Sequence, residues 1–369
     1  MSVLGVIPND PLDAYERGGI GSWLASYYNP QGFFDRVYCL SPLERRRGER
    51  FGMQVLPTRP RQLPGRVRRL RLNVLRAYGG AWPADFLAAA RTSGVPLVVS
   101  VHARNPEALS DNVRVADLVW CTSQAVVGLV RARGVPQAKI RLLPNRVDRN
   151  RFCPDPADSA VAALRARFPW RRVILHVGRL APEKNLETVI AALARLGDEY
   201  GLLAVGPGEA GPYRQHAEAL GVAERCAFLG AVPNETLPSY YRFCACMCVP
   251  SRWEGFGIVF IEAMACGASV ISSAIAPMTE YIQHGANGIL VEAFEDPAAV
   301  ATAIARVCED PACRGLGEAA RQSTRRFAVE AVDALEVGLY QEALALGRGG
   351  CGRAEDASWW QRLLQALPW

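Results

Sequence analysis

The feature that most restricts the fold is an alternation that runs through the chain twice. Short, continuously apolar segments are separated by longer stretches with helical periodicity. A continuous apolar run needs cover on both faces, which is the situation of a parallel strand with helices above and below it. In the first half VLGVI, RVYCL, RLNVLRAY, PLVVSVH and LVWCTS have this character. The pattern then restarts with RVILHVGRL, GLLAVGP, CAFLGAV, CACMCVPS, ASVISS and NGILVE, separated by helical segments such as NLETVIAALARLG and PAAVATAIARVCED. The implied fold is α/β, with two Rossmann-like, doubly wound halves facing each other.

A chain of 369 residues sustains two cores. The Pro/Asp-rich stretch RFCPDPADSAVAALRARFPWRR precedes the restart and places the boundary there. The expected domains are therefore 1–165 and 166–345, followed by a tail over 346–369. In that tail Trp359, Trp360, Leu363, Leu364 and Leu367 share a helical face. It reads as a helix packed back on the fold, with a membrane-surface helix as the alternative.

Half of the residues are hydrophobic and 21% are charged, which fits a globular protein and excludes disorder. The N-terminus has no basic region or cleavage site, so no secretory signal is expected. No uncharged apolar run reaches the roughly 18–20 residues of a membrane span. Eleven cysteines scattered through apolar segments read as reduced thiols, hence a cytoplasmic protein. Cys244, Cys246 and Cys248 would share one face of a strand, where core packing is favoured over a metal site.

The net charge of +6 is unevenly spread: Ser41 to Arg76 holds eleven arginines against Glu44 and Glu49. This block, 45–76, attracts anions. It is either a solvated face or a contact for an anionic membrane surface or phosphorylated acceptor. Nucleic acid is not expected, since no aromatic residues interleave the block.

Four segments of the second half suggest one phosphate-binding site. Arg179 and Lys184, after the glycine Gly178, could clamp a diphosphate without a metal, although an Arg/Lys pair at this spacing is also an ordinary solvated loop. Gly206 and Gly208 allow backbone to approach a ligand at a strand end. Gly230 ends a strand whose main chain could read a base edge. In SRWEGFGIVFIEAMACG, Gly255, Phe256 and Gly257 precede a helix starting near Ile258 and Val259, whose free N–H groups suit phosphate oxygens. Glu254 could then accept hydrogen bonds from sugar hydroxyls, and Glu262, deeper in the helix, from a ribose diol.

Together, VGRL…EKN and VPSRWEGFGIVFIEAMACGASVISS resemble the retaining GT-B glycosyltransferases of glycosyltransferase family 4, strongly over residues 170–295. The resemblance implies that Arg179 and Lys184 hold the donor diphosphate, while Glu254 and Glu262 contact the donor sugar and ribose. In the first half GGIGSWL, with Gly19, is similar to the family's glycine loop, and His102 stands where the family often keeps a donor-side histidine. LLPNRVDRNRF varies the family's NGVD turn, with Arg146 in place of glycine. Ala245 replaces an acid, and Asn185 replaces the glycine after the clamp lysine.

The family implies metal-independent hexosyl transfer from a nucleotide diphosphate sugar, with no cofactor, to a glycan or lipid-linked acceptor held by the first domain. The setting expected is bacterial glycan, lipopolysaccharide or exopolysaccharide assembly, at the inner face of the membrane if the arginine block meets lipid. No Asp-x-Asp occurs, which disfavours a metal-chelating glycosyltransferase of the other major architecture. The alternatives are a GT-B nucleotide-sugar epimerase and a non-catalytic partner subunit. An NAD enzyme is disfavoured, because no G-x-G-x-x-G follows the first strand.

Overall fold

The computed structural model describes residues 2–17, 21–102 and 109–348. The chain divides into two compact units, 1–145 with 330–369 and 146–329. The division falls at Asn145/Arg146 instead of 165/166, and the last long helix, Val329–Arg348, returns to the first unit instead of closing the second. Most of the tail expected over 346–369, from residue 349 on, lies outside the described residues.

The first unit is built on eight strands: β1 Val3–Ile7, β2 Arg36–Ser41, β3 Gly48–Arg50, β4 Met53–Pro57, β5 Val74–Tyr78, β6 Leu97–Val101, β7 Leu118–Cys121 and β8 Ile140–Leu142. Their order is β3-β4-β2-β1-β5-β6-β7-β8, parallel except for the β3–β4 hairpin. That hairpin is absent from the apolar pattern because its turn, Phe51–Gly52 with φ of 51° and 69°, lies inside the charged arginine block. Two adjacent residues with positive φ between paired Arg50 and Met53 are the primed turn that matches strand twist.

The returning helix explains one arginine of the block. Arg76 on β5 is fully buried rather than anion-facing. It forms an ion pair with Glu336, donates to Tyr340 Oη and Ser100 Oγ at 2.8 Å each, and lies 4.1 Å and 4.3 Å from the ring centroids of Tyr78 and Trp120. A buried charge tolerates burial only when paired and hydrogen-bonded, so Arg76 depends on the last helix. Val332, Leu335, Leu339 and Ala343 of that helix join Leu4, Val6 and Leu24 in one apolar cluster.

The second unit has six strands, all parallel: β9 Arg172–Val177, β10 Tyr200–Val205, β11 Cys226–Gly230, β12 Cys246–Val249, β13 Val270–Ser273 and β14 Ile289–Val291, in the order β11-β10-β9-β12-β13-β14. Apolar clusters cover both faces of this sheet, as continuous apolar strands require. Cys246 and Cys248 are buried in one of these layers. The sheet is doubly wound: the chain leaves β9 toward β10 on one side and returns to β12 on the other. The carboxyl ends of β9 and β12 are thus the switch point where open α/β sheets take ligands.

Candidate functional site at the carboxyl ends of the second sheet

The loops that leave β9, β10 and β11 are laced together by main chain. Gly178 N donates to Val205 O at 3.0 Å, Leu180 N to Pro207 O at 2.7 Å, and Gly206 N to Gly230 O at 2.8 Å. Gly206 has φ of 146°, and a Cβ there would sit 1.8 Å from the Gly178 carbonyl oxygen. Only glycine permits this approach. Gly178, Gly206 and Gly230 are thus neighbours, but the Gly230 carbonyl already accepts one hydrogen bond within the protein.

The next turn, Pro182–Lys184, carries the lysine. Its Nζ forms an ion pair with Glu254, and its stem packs over Gly178. Glu254 is 7% exposed and also accepts from Ser251 Oγ at 3.0 Å; the Ser251 carbonyl in turn accepts from Ser273 Oγ at 2.6 Å. Arg179 behaves differently. Its side chain is 65% exposed and pairs with Glu183 at 2.5 Å, so the two cations expected to share one anion have separate carboxylate partners.

Asn185 shows why a glycine is not required after Lys184. Its φ is 54°, in the left-handed region that asparagine tolerates best after glycine. The side chain, wholly buried, donates to Pro250 O at 3.1 Å and Phe294 O at 3.0 Å and accepts from Thr188 Oγ1 at 2.6 Å. Arg146, which stands in the other family glycine position, is not among the residues with positive φ.

Arg252 joins the lysine turn to the acid loop. Its N–H donates to Glu183 O at 2.8 Å, and its guanidinium binds the Pro182 carbonyl, Glu187 at 2.8 Å and Glu295 at 2.7 Å. Neither Ser251 nor Arg252 is marked by the sequence reasoning, although both lie beside Glu254. Their role rests on partners up to 70 residues away.

The helix Ile258–Ala265 starts from Gly257, φ 81°, with no side-chain cap. Its first N–H groups carry the positive end of the helix dipole next to Glu254. Ile258 is exposed and Val259 is partly buried. The Phe256 side chain is a core residue: its ring stacks on Tyr281 and meets Phe327 edge-on, while Tyr281 Oη donates to its carbonyl at 2.8 Å. Glu262, one turn into the helix, is 7% exposed and accepts from Tyr241 Oη at 3.0 Å. Burial pushes its carboxyl up to about 7, against the pull of Tyr241 and Arg151.

His176 on β9 is buried, with Nδ1 3.1 Å from the Cys248 carbonyl, and burial lowers it to about 4. It is neutral at physiological pH and belongs to the core. His102 is in the first unit, directly after β6. It is half-buried, with its ring near-parallel to Tyr78 at 6.5 Å. Gly19 lies outside the described residues. Among the described residues no group of three His, Cys, Asp or Glu side chains is placed to hold a metal ion.

Two parallel-sheet Rossmann-like units with a glycine-and-acid site on the second define a GT-B fold, and solved structures agree. An Anabaena protein, HepE, solved in complex with UDP-glucose, superposes with a TM-score of 0.76 at 23% identity, covering 92% of this chain and 99% of that chain. The lipopolysaccharide galactosyltransferase WaaB superposes with a TM-score of 0.70 at 16% identity, over 92% and 99%. At such identities the likeness concerns the fold.

The family follows from two sequence matches: the model described as Glycosyl transferases group 1 covers residues 165–323, and that of Glycosyltransferase Family 4 covers 41–151. The chain belongs to the family 4 glycosyltransferases. Among curated relatives, a GDP-mannose-dependent alpha-(1-6)-phosphatidylinositol monomannoside mannosyltransferase of Mycobacterium tuberculosis is 35% identical over 171 residues, 42% of this chain and 44% of that protein. A D-inositol 3-phosphate glycosyltransferase of Acidothermus cellulolyticus is 32% identical over 68% of this chain and 63% of that protein. The chain spans about half the length of the first of the curated relatives it matches.

Proposed function

We propose that this protein is a retaining glycosyltransferase that moves a hexosyl group from a nucleotide diphosphate sugar to an acceptor hydroxyl without a metal ion or cofactor. The observation that carries this reading is the meeting of Lys184 and Glu254 before the uncapped start of helix Ile258–Ala265. A cation, a hydrogen-bond acceptor and a row of N–H groups stand together there, which is what a sugar diphosphate requires. The donors in the names of similar proteins, GDP-mannose and UDP-glucose, share that group.

In the proposed reaction the bond from the anomeric carbon to the diphosphate oxygen breaks, and its electron pair leaves with the phosphate. The acceptor oxygen forms the new bond on the same face, and its proton passes to the departing phosphate oxygen. Lys184, Arg179 and the helix start stabilise the growing negative charge. Glu254 accepts from the sugar hydroxyls and Glu262 from the ribose. Arg179 would exchange Glu183 for phosphate, and Lys184 would exchange Glu254. The first unit binds the glycan or lipid-linked acceptor, in bacterial glycan assembly at the cytoplasmic face of the membrane.

The test is a panel of UDP-, GDP- and dTDP-hexoses incubated with purified protein and candidate acceptors in EDTA. Release of nucleoside diphosphate that rises with acceptor, and a product retaining the donor's anomeric configuration, are expected. Epimerised donor without acceptor would identify an epimerase instead. No donor turnover under any condition would identify a partner subunit, and a strict need for Mg²⁺ or Mn²⁺ would contradict the metal-free mechanism.

A further inference from the structure

The fold divides the arginine block. Arg76 is buried in the core, whereas Arg45, Arg46 and Arg47 follow β2 on an exposed loop. Together with Arg17 and Arg50 they line a cavity of about 780 Å³, within the range of small-molecule sites. Arg50 is engaged by Asp13 and Glu16 at 2.5 and 2.7 Å, and Glu44 by the Leu12 N–H at 2.7 Å. Among the described residues, Arg17, Arg45, Arg46 and Arg47 enter no ion pair. Leu43, 41% exposed, adds an apolar contact to the same lining.

The helix Leu63–Arg69 brings two more cations to this region. Arg66 and Arg69, three positions apart, lie on one side of it. Arg66 is half-buried, and burial, then repulsion from Arg47 and Arg69, lowers its affinity for its proton. Asp13, Glu44 and Glu49 also line the cavity, but Asp13 is held by Arg50, Glu44 by the Leu12 N–H, and Glu49 accepts from Gln54 Nε2 at 3.0 Å. Guanidinium groups held within each other's field are relieved by a multivalent anion, and their planar forks match phosphate oxygens.

We propose that Arg17, Arg45, Arg46 and Arg47, with Arg66 and Arg69 beside them, form a phosphate-binding site that takes the phosphoryl group of the acceptor. The word acceptor rests on the transferase reading, whereas the anion site does not. The shared chemistry is a phosphate mono- or diester, carried by a small sugar phosphate or by a lipid headgroup.

Two probes distinguish those sources: inorganic pyrophosphate, and vesicles of phosphatidylglycerol in phosphatidylcholine. Both are titrated against the full chain carrying Arg179→Ala and Lys184→Ala, so that the donor clamp does not contribute. Adding Arg45→Glu, Arg46→Glu and Arg47→Glu, all at exposed loop positions, should weaken binding at least about tenfold at low salt, and raised salt should weaken the parent in the same way. Pyrophosphate binding supports a small phosphorylated acceptor, and binding to vesicles alone supports a lipid-borne one. Binding of neither probe, or equal binding by parent and reversed variant, overturns the site. Arg66→Glu provides a second, independent variant with the same expected loss. In chain with an intact clamp, the thermal shift produced by UDP or GDP should survive the loop reversal. Absence of that shift from the unmutated protein would defeat the donor reading and leave the anion site standing.

Discussion

Glu262→Gln should make the second unit more stable at pH 8 and leave it nearly unchanged at pH 4.5. The Glu262 carboxyl has an ordinary value of 4.5 and is raised to about 7 by burial. Below pH 4.5 the folded and unfolded chains both hold the proton, and Glu262 carries no penalty. Between 4.5 and 7 the unfolded chain releases its proton while the folded chain keeps it, so stability falls as pH rises. Above 7 the folded protein bears a buried carboxylate, and the whole difference, about 3 kcal/mol, is lost. Glutamine never ionises, and its carbonyl can still accept from Tyr241 Oη, so the variant is spared this loss. Two units make a single unfolding free energy ill-defined, so the measurement is urea-dependent hydrogen exchange of the helix Ile258–Ala265 at the two pH values. A variant no more stable than the parent at pH 8, or stabilised equally at both pH values, would refute the assignment of a raised, buried carboxyl.

If ribose hydroxyls donate to Glu262, binding favours the carboxylate, so donor binding at pH 6 should release protons. Calorimetry in two buffers of different ionisation enthalpy reads this, and equal heats would contradict the contact. Lys184→Ala should leave the fold intact while reducing transfer about 10²-fold or more, as expected for loss of one charge-stabilising donor; parent-like turnover in the acceptor assay would sink its role. Asn185→Ala should destabilise by about 3 kcal/mol, combining left-handed strain with lost buried hydrogen bonds. Asn185→Gly removes only the hydrogen bonds, about 1–2 kcal/mol, and denaturant midpoints should rank the glycine variant above the alanine one. Gly206→Ala places a Cβ against the Gly178 carbonyl, so the thermal midpoint should drop and the nucleotide-induced shift disappear; retention of both would show that the loop yields.

The amino-acid sequence made local chemistry legible. Continuous apolar runs specify strands covered on both faces, so all six strands of the second sheet and five of the eight in the first were legible. The glycine-and-acid segment could be placed on a strand end and a helix start, because the left-handed Gly257 and the helix it opens are properties of a short stretch. Lys184 and Glu254 were marked by the family resemblance, since the local spacing alone also fits an ordinary solvated loop. Tertiary structure decided which groups meet. Arg76 reads as one more surface arginine until Glu336, 260 residues later, closes over it on a returning helix. The β3–β4 hairpin owes its place to pairing with β2: β3 carries Glu49 and Arg50, and the short apolar alternation of β4 stands inside the arginine block. Phe256 turns into the core because Tyr281 and Phe327 receive it, and Arg179 stays exposed while Lys184, like their partners Glu183 and Glu254, is largely buried. Periodicity records how much of a residue is buried on its own element. The partner that makes a buried charge tolerable, or leaves an exposed one available to a ligand, comes from distant chain that no local pattern encodes.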